Sequence, residues 1–139
     1  MKYFELHELV DRATYQKYGD KAWELFEPDS LIMLDDLRSF FNAGITVNTW
    51  WGHPQGYQYR GYRPPDSKVG APRSYHKRGM AFDCDVKGYT AADVRKIILE
   101  NKDNPLLQKI MRMEADVTWL HIDRGSIPEG KERIYVFKG

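Results

Sequence analysis

Between residues 52 and 73 the chain carries Gly52, Pro54, Gly56, Gly61, Pro64, Pro65, Gly70 and Pro72. Proline lacks a backbone donor and glycine loses the most conformational freedom on folding, so neither a helix nor a central strand crosses this stretch. It reads as one long loop, and a loop of that length in a compact domain is either functional or disordered. Tyr57, Tyr59, Arg60, Tyr62 and Arg63 decide between the two, because aromatic residues are scarce in segments that cannot fold. We read 52–73 as an ordered loop lying over a site.

The flanking segments supply the framework. Residues 5–26 read as one or two short helices, with Leu6, Leu9 and Val10 at helical spacing, then Ala22, Trp23, Leu25 and Phe26, and Gly19 as the break between them. Glu27-Pro28-Asp29-Ser30 is a helix start, the stripe Leu31, Ile32, Leu34, Leu37, Phe40 and Phe41 is its apolar face, and Asn42-Ala43-Gly44 is its stop. The β-branched and aromatic run 45–51 predicts a strand. Residues 80–86 alternate, placing Ala81, Asp83 and Asp85 on one face and Phe82, Cys84 and Val86 on the other. Thr90 caps a further helix whose buried stripe is expected to be Val94, Ile97, Ile98 and Leu99, and a short helix is expected around 106–110. Strands are expected at 117–123 and 133–137, joined by a turn at 124–130. The class is α+β: a small single domain over 1–139, helices packed on an antiparallel sheet.

Composition removes several function classes. Lys and Arg number 21 against 20 Asp and Glu, a net charge of +1, so no overall field draws the chain to nucleic acid. No segment approaches the ~20 apolar residues of a membrane span, and no signal-peptide run follows Met1, so a cytoplasmic location is expected. Cys84 is the lone cysteine, which excludes an internal disulfide and an all-cysteine zinc site. His, Asp and Glu are left to ligate any metal. A monomer is the default for a chain of this size.

Two of the four histidines stand among carboxylates on strand-like segments, His76 ahead of Asp83 and His121 beside Asp123. If the two strands are antiparallel neighbours, Asp83 and His121 face each other about 5 Å apart across the ladder. Two imidazoles and a carboxylate form the three-ligand set of a catalytic zinc, whose fourth position stays open. Asp85 is the alternative to Asp83 in that set. Such a metal polarises a carbonyl and lowers the pKa of water to near 7, and amide hydrolysis then still needs a carboxylate to move the proton.

Ser74-Tyr75-His76-Lys77-Arg78-Gly79-Met80-Ala81-Phe82-Asp83 has the form S-x-H-x-x-G-x-A-x-D, and Trp119-Leu120-His121-Ile122-Asp123 has the form W-x-H-x-D. The pair resembles the zinc D-alanyl-D-alanine carboxypeptidase and L-alanyl-D-glutamate endopeptidase family, peptidoglycan hydrolases that include many phage endolysins. The likeness extends to residues 45–48, to Gly61-Tyr62-Arg63-Pro64 and to the opening residues 4–9. It implies Zn²⁺ held by His76, Asp83 and His121, peptidoglycan stem peptides as substrate, and a zinc cleft on the open side of the sheet. With no signal peptide, a lytic role would need a membrane pore supplied by a partner for release to the cell wall.

The chain departs from that family at Thr118, where a catalytic Glu or Asp commonly stands three residues before the second histidine. Closer phage-type relatives carry a Glu in an Arg-x-Glu stretch like Arg112-Met113-Glu114, so the resemblance points to Glu114 as the catalytic acid and base, with Asp116 second. Arg63, then Arg60, match the family's arginine for a substrate carboxylate or a developing oxyanion, a task that suits a charged fork of donors. Ser74 is expected to hold the substrate backbone or to cap the turn before His76. Asp123 is read as orienting a ligand, while Trp50, Trp51 and His53 are candidates for the cleft lining. The competing readings are a zinc-stabilised binding module that cleaves nothing, as hedgehog signalling domains use a similar fold, and a phage or prophage structural protein without metal.

Overall fold

The computed structural model describes residues 1–139. A 3₁₀ turn at Leu6–Glu8 leads into helix α1 (Arg12–Tyr18), capped by Asp11, whose carboxylate accepts the Thr14 N–H at 3.1 Å. Gly19, at φ +54°, ends α1, and a 3₁₀ segment follows at Gly19–Leu25, so the break falls where glycine was expected to put it. Helix α2 (Pro28–Phe41) starts on a proline whose missing N–H would be unpaired there in any case. It buries Met33, Leu34, Leu37 and Phe41, and Asn42 stops it in the left-handed conformation.

Strand β1 is only Ile45–Thr46, not the run 45–51. From Val47 onward the backbone bonds to neighbouring loops instead of the sheet: the Asn48 N–H goes to the Glu8 carbonyl, and those of Thr49 and Trp50 go to the Tyr57 carbonyl. Strand β2 (Ala81–Val86) follows the long loop, and Thr90 caps α3 (Ala91–Glu100) by accepting the Asp93 N–H; α3 buries Val94 and Ile98, while Leu99, one position past Ile98, turns away from the core and is exposed. The short helix expected at 106–110 is a 3₁₀ turn at Pro105–Leu107. Strand β3 (Arg112–Ala115), unforeseen in the sequence, precedes β4 (Leu120–Asp123) and β5 (Tyr135–Lys138). The strand expected at 117–123 is shortened at its start because Asp116, at φ +60°, turns the chain between β3 and β4.

The five strands lie in the order β1-β2-β4-β3-β5. The α+β class holds, but the sheet is mixed rather than antiparallel throughout, since β5 runs parallel to β3. The connection after Asp123 stays at the end of the sheet where Arg112 begins. β5 therefore starts level with Arg112 and runs opposite to β4, which is the direction of β3.

One face of this sheet is apolar. Phe82, Cys84, Val86, Met113, Leu120 and Ile122 join α2, α3 and the N-terminal turns in a single buried cluster. Period-2 alternation sends Asp83, Arg112, Glu114, His121 and Asp123 to the opposite face, where the loop and the turn after it cover them. No helix is long and apolar enough to cross a membrane.

Candidate metal centre

The first motif is a device for carrying His76 and Asp83 to one point. The Ser74 hydroxyl accepts the His76 N–H at 3.1 Å and starts a 3₁₀ turn over Tyr75–Arg78. Gly79 closes that turn at φ +66°, and a Cβ there would stand 2.1 Å from the Leu25 carbonyl, so the position requires glycine twice over. Met80 returns its N–H to Tyr75, and β2 then delivers Asp83 beneath His76. On the other side Asp83 pairs with His121 across the antiparallel β2–β4 ladder, the register that the two alternating strands predict.

The three side chains are buried, and their ligating atoms lie within 4.8 Å of one another. Asp83 Oδ1 lies 2.9 Å from His121 Nδ1, and Oδ2 lies 3.3 Å from His76 Nε2 and 3.1 Å from an Arg63 Nη2. The far nitrogen of each imidazole is anchored. His76 Nδ1 is 2.8 Å from the Gly61 carbonyl, which as an acceptor only requires the N–H there, and His121 Nε2 is 2.7 Å from Asp123 Oδ2. Both rings therefore turn their other nitrogen toward Asp83. This buried group could hold a metal ion, and its nitrogen, nitrogen, oxygen donors with outer hydrogen bonds to a carbonyl and a carboxylate are what a histidine-rich metal site requires. Asp85 lies outside it, exposed and paired with Arg60.

The electrostatics separate the two histidines. Burial drives the His76 imidazole down, and Asp83 only partly offsets this with Arg63 opposing, so His76 is neutral. His121 is also desolvated but sits between Asp123 and Asp83, whose hydrogen bonds and charges together outweigh burial and push it up to about 9. Burial would raise both carboxyls, yet the hydrogen bonds from His121 and His76 hold Asp83 well below the usual carboxylate range, and those from His121 and Arg112 lower Asp123. Without metal, one proton on His121 holds the cluster together.

Around this group lies a cleft of about 540 Å³, lined among others by Arg63, Arg73, Ser74, Glu114, Trp119 and Phe137. Of the two carboxylates named as acid and base, Glu114 faces it and Asp116 does not. Asp116 is the exposed turn residue after β3, 3.5 Å from Lys138 Nζ. Of the two arginines, Arg63 is in the cleft, whereas Arg60 stacks on Tyr57 and binds Asp85 at 2.8 Å. Trp50 is buried with its indole N–H on the Val10 carbonyl, Trp51 stacks on His7, and His53 is exposed, so these three stand apart from the cleft. Thr118 is exposed outside it.

The sequence reading missed Arg112, Arg73, Tyr75 and Phe137, all of which line the cleft. The available signal was the alternation Arg112-Met113-Glu114, which puts Met113 in the core and its neighbours on the polar face. No protein-family model, curated protein or solved structure matches the chain, so the chemistry is read from the residues themselves.

Proposed function

We propose that the protein is a zinc-dependent peptidase that hydrolyses peptide bonds next to D-amino acids in peptidoglycan stem peptides. The observation that carries this reading is the convergence of His76, Asp83 and His121 in a cleft that also contains Glu114. The two motifs that resemble the peptidoglycan peptidases lend it the substrate class. Zn²⁺ bound by the three side chains would supply the Lewis acid that polarises the scissile carbonyl and makes a water acidic enough to attack.

Glu114 has the role of accepting the proton of that water and returning it to the leaving amine as the carbon–nitrogen bond breaks. Arg63, in the cleft and 3.1 Å from Asp83 through Nη2, has the role of stabilising the negative charge that develops on the scissile carbonyl oxygen. Arg73, exposed at the rim, adds a second guanidinium for a substrate carboxylate, and Ser74 is occupied as the cap of the His76 turn.

A zinc-stabilised binding module is the second reading, favoured by Thr118 where the resembling family commonly keeps a carboxylate. Zinc stoichiometry and hydrolysis of purified peptidoglycan fragments, measured on wild type and Glu114→Gln, separate the two. About one zinc per chain in both proteins, with hydrolysis only in the wild type, is the peptidase result. Zinc without turnover in either leaves the binding module, and no zinc after incubation with excess metal removes both.

A further inference from the structure

Arg112 lies directly across the β3–β4 ladder from Asp123 and grips it with two donors, Nε to Oδ1 at 2.8 Å and Nη2 to Oδ2 at 3.1 Å. Its guanidinium is held between two rings, with Cζ 4.9 Å from the centroid of Tyr75 and 4.4 Å from that of Phe137. Tyr75 is itself fixed, because its hydroxyl accepts the Ser126 N–H at 3.1 Å and its ring lies where a side chain at Gly125 would have to go. Phe137 also stands edge-on to the His121 ring at 5.6 Å.

Asp123 is fully buried, and its other contacts are the Gly125 N–H on Oδ1 and His121 Nε2 on Oδ2. A carboxylate held only by these could rotate about its terminal torsion, and His121 could rotate with it. The planar fork of an arginine, pinned between two aromatic faces, removes that freedom in a way that a single ammonium does not.

We propose that Arg112 is the positioning residue of the metal centre: by locking the plane of Asp123 it holds the proton on His121 Nε2 and keeps Nδ1 turned toward Asp83 and the ion. This rests on the metal-centre reading above and assigns a role to a residue that touches none of the three ligands. It also accounts for both polar positions of β3, since Arg112 sets the ligand while Glu114, two residues on along the same face, is left for chemistry.

The test is zinc affinity by chelator competition on the full chain for wild type, Arg112→Met and Arg112→Lys, with long-range proton–nitrogen spectra of the His121 ring in each zinc-loaded protein. Arg112→Met is expected to bind zinc about 10- to 100-fold more weakly. Its His121 spectrum should lose the single pattern of protonated Nε2 and coordinated Nδ1. Arg112→Lys should recover less than half of the loss on a logarithmic scale. Affinity within about twofold of wild type with an unchanged His121 pattern in Arg112→Met overturns the proposal, as does full recovery by lysine. If Arg112→Met fails to fold, Phe137→Leu frees one face of the guanidinium while keeping every polar group, and the same two readouts decide. Zinc binding absent from the wild type overturns the proposed function along with this inference, whereas equal binding in all variants overturns this inference alone.

Discussion

Asp83 stands directly across the β2–β4 ladder from His121, and their side chains meet at 2.9 Å. In the metal-free protein that contact is an ion pair with the proton on His121, and Asp123 closes the other side of the ring at 2.7 Å. A metal ion entering the site has to replace one proton. His76 contributes none, because burial already keeps it neutral.

Zinc affinity is therefore expected to rise with pH, by about tenfold per unit from pH 6.5 upward, and to level off near the His121 value of about 9. Stability of the metal-free protein should move the other way. The folded pKa of His121 lies above its unfolded value of about 6.5, so its stabilisation is complete below that pH and is lost as pH rises through about 9. The slope is at most about 1.4 kcal/mol per pH unit, and the buried Cys84 thiol, pushed up by desolvation, adds in the same direction once the unfolded thiol begins to ionise. Denaturant titrations at several pH values with and without zinc test this. A metal-free stability that climbs between pH 7 and 9 would contradict it.

The two carboxylates near the β3–β4 turn should behave differently. Glu114→Gln removes the one that faces the cleft and should lower turnover by about 10²- to 10⁴-fold while zinc stays bound. Asp116→Asn alters an exposed turn residue whose only ion pair is a solvated one with Lys138, and turnover should stay within a few fold of wild type. Steady-state rates on peptidoglycan fragments rank the two. The reverse order would move the base to Asp116 and require the turn to rearrange.

Much of the site was legible because strand alternation is a strict rule. Once 80–86 and 120–123 are strands, Asp83, His121 and Asp123 must share the face opposite Phe82, Leu120 and Ile122. Helix α2 was legible for the same kind of reason, an apolar stripe with a stop at Asn42. Strand β3 was not, because Met111 to Ala115 contains no β-branched residue, and its extended state is imposed by partners on both sides. Arg112 was lost with it. The fates of Thr49 and Asp116 were hidden too, since each depends on where a distant loop or a turn sends the backbone.

Arg60 and Arg63 lie three residues apart in the loop, yet should differ in effect. Arg60→Ala breaks a pair with Asp85, whose side chain is 53% exposed, and removes the stack on Tyr57, so it is expected to cost about 1–2 kcal/mol of stability but leave zinc affinity unchanged. Arg63→Met removes a donor 3.1 Å from the ligand Asp83 and a second bond from Nε to the Tyr59 carbonyl. It should weaken zinc binding by about tenfold as the outer hydrogen bond to the carboxylate disappears. Isothermal titration of the two variants separates them, and equal affinities would remove Arg63 from the metal environment.

The last prediction concerns the turn that carries His76. Gly79→Ala places a side chain in the left-handed region and drives its Cβ against the Leu25 carbonyl and Phe26, both of them backbone that cannot swing aside. The conformational penalty alone is about 1–2 kcal/mol, and the overlap should bring the total to roughly 2–4 kcal/mol. Relief requires the segments around Leu25 and His76 to separate. The His76 ring would then move off the Gly61 carbonyl, and zinc affinity should fall together with stability. Gly130→Ala is the control, because it has a similar φ of +80° and nothing within 4 Å of the added methyl. It should show the conformational penalty and no loss of zinc. Urea titration and chelator competition on both variants give the comparison, and equal destabilisation of the two would show that close packing at Gly79 contributes nothing.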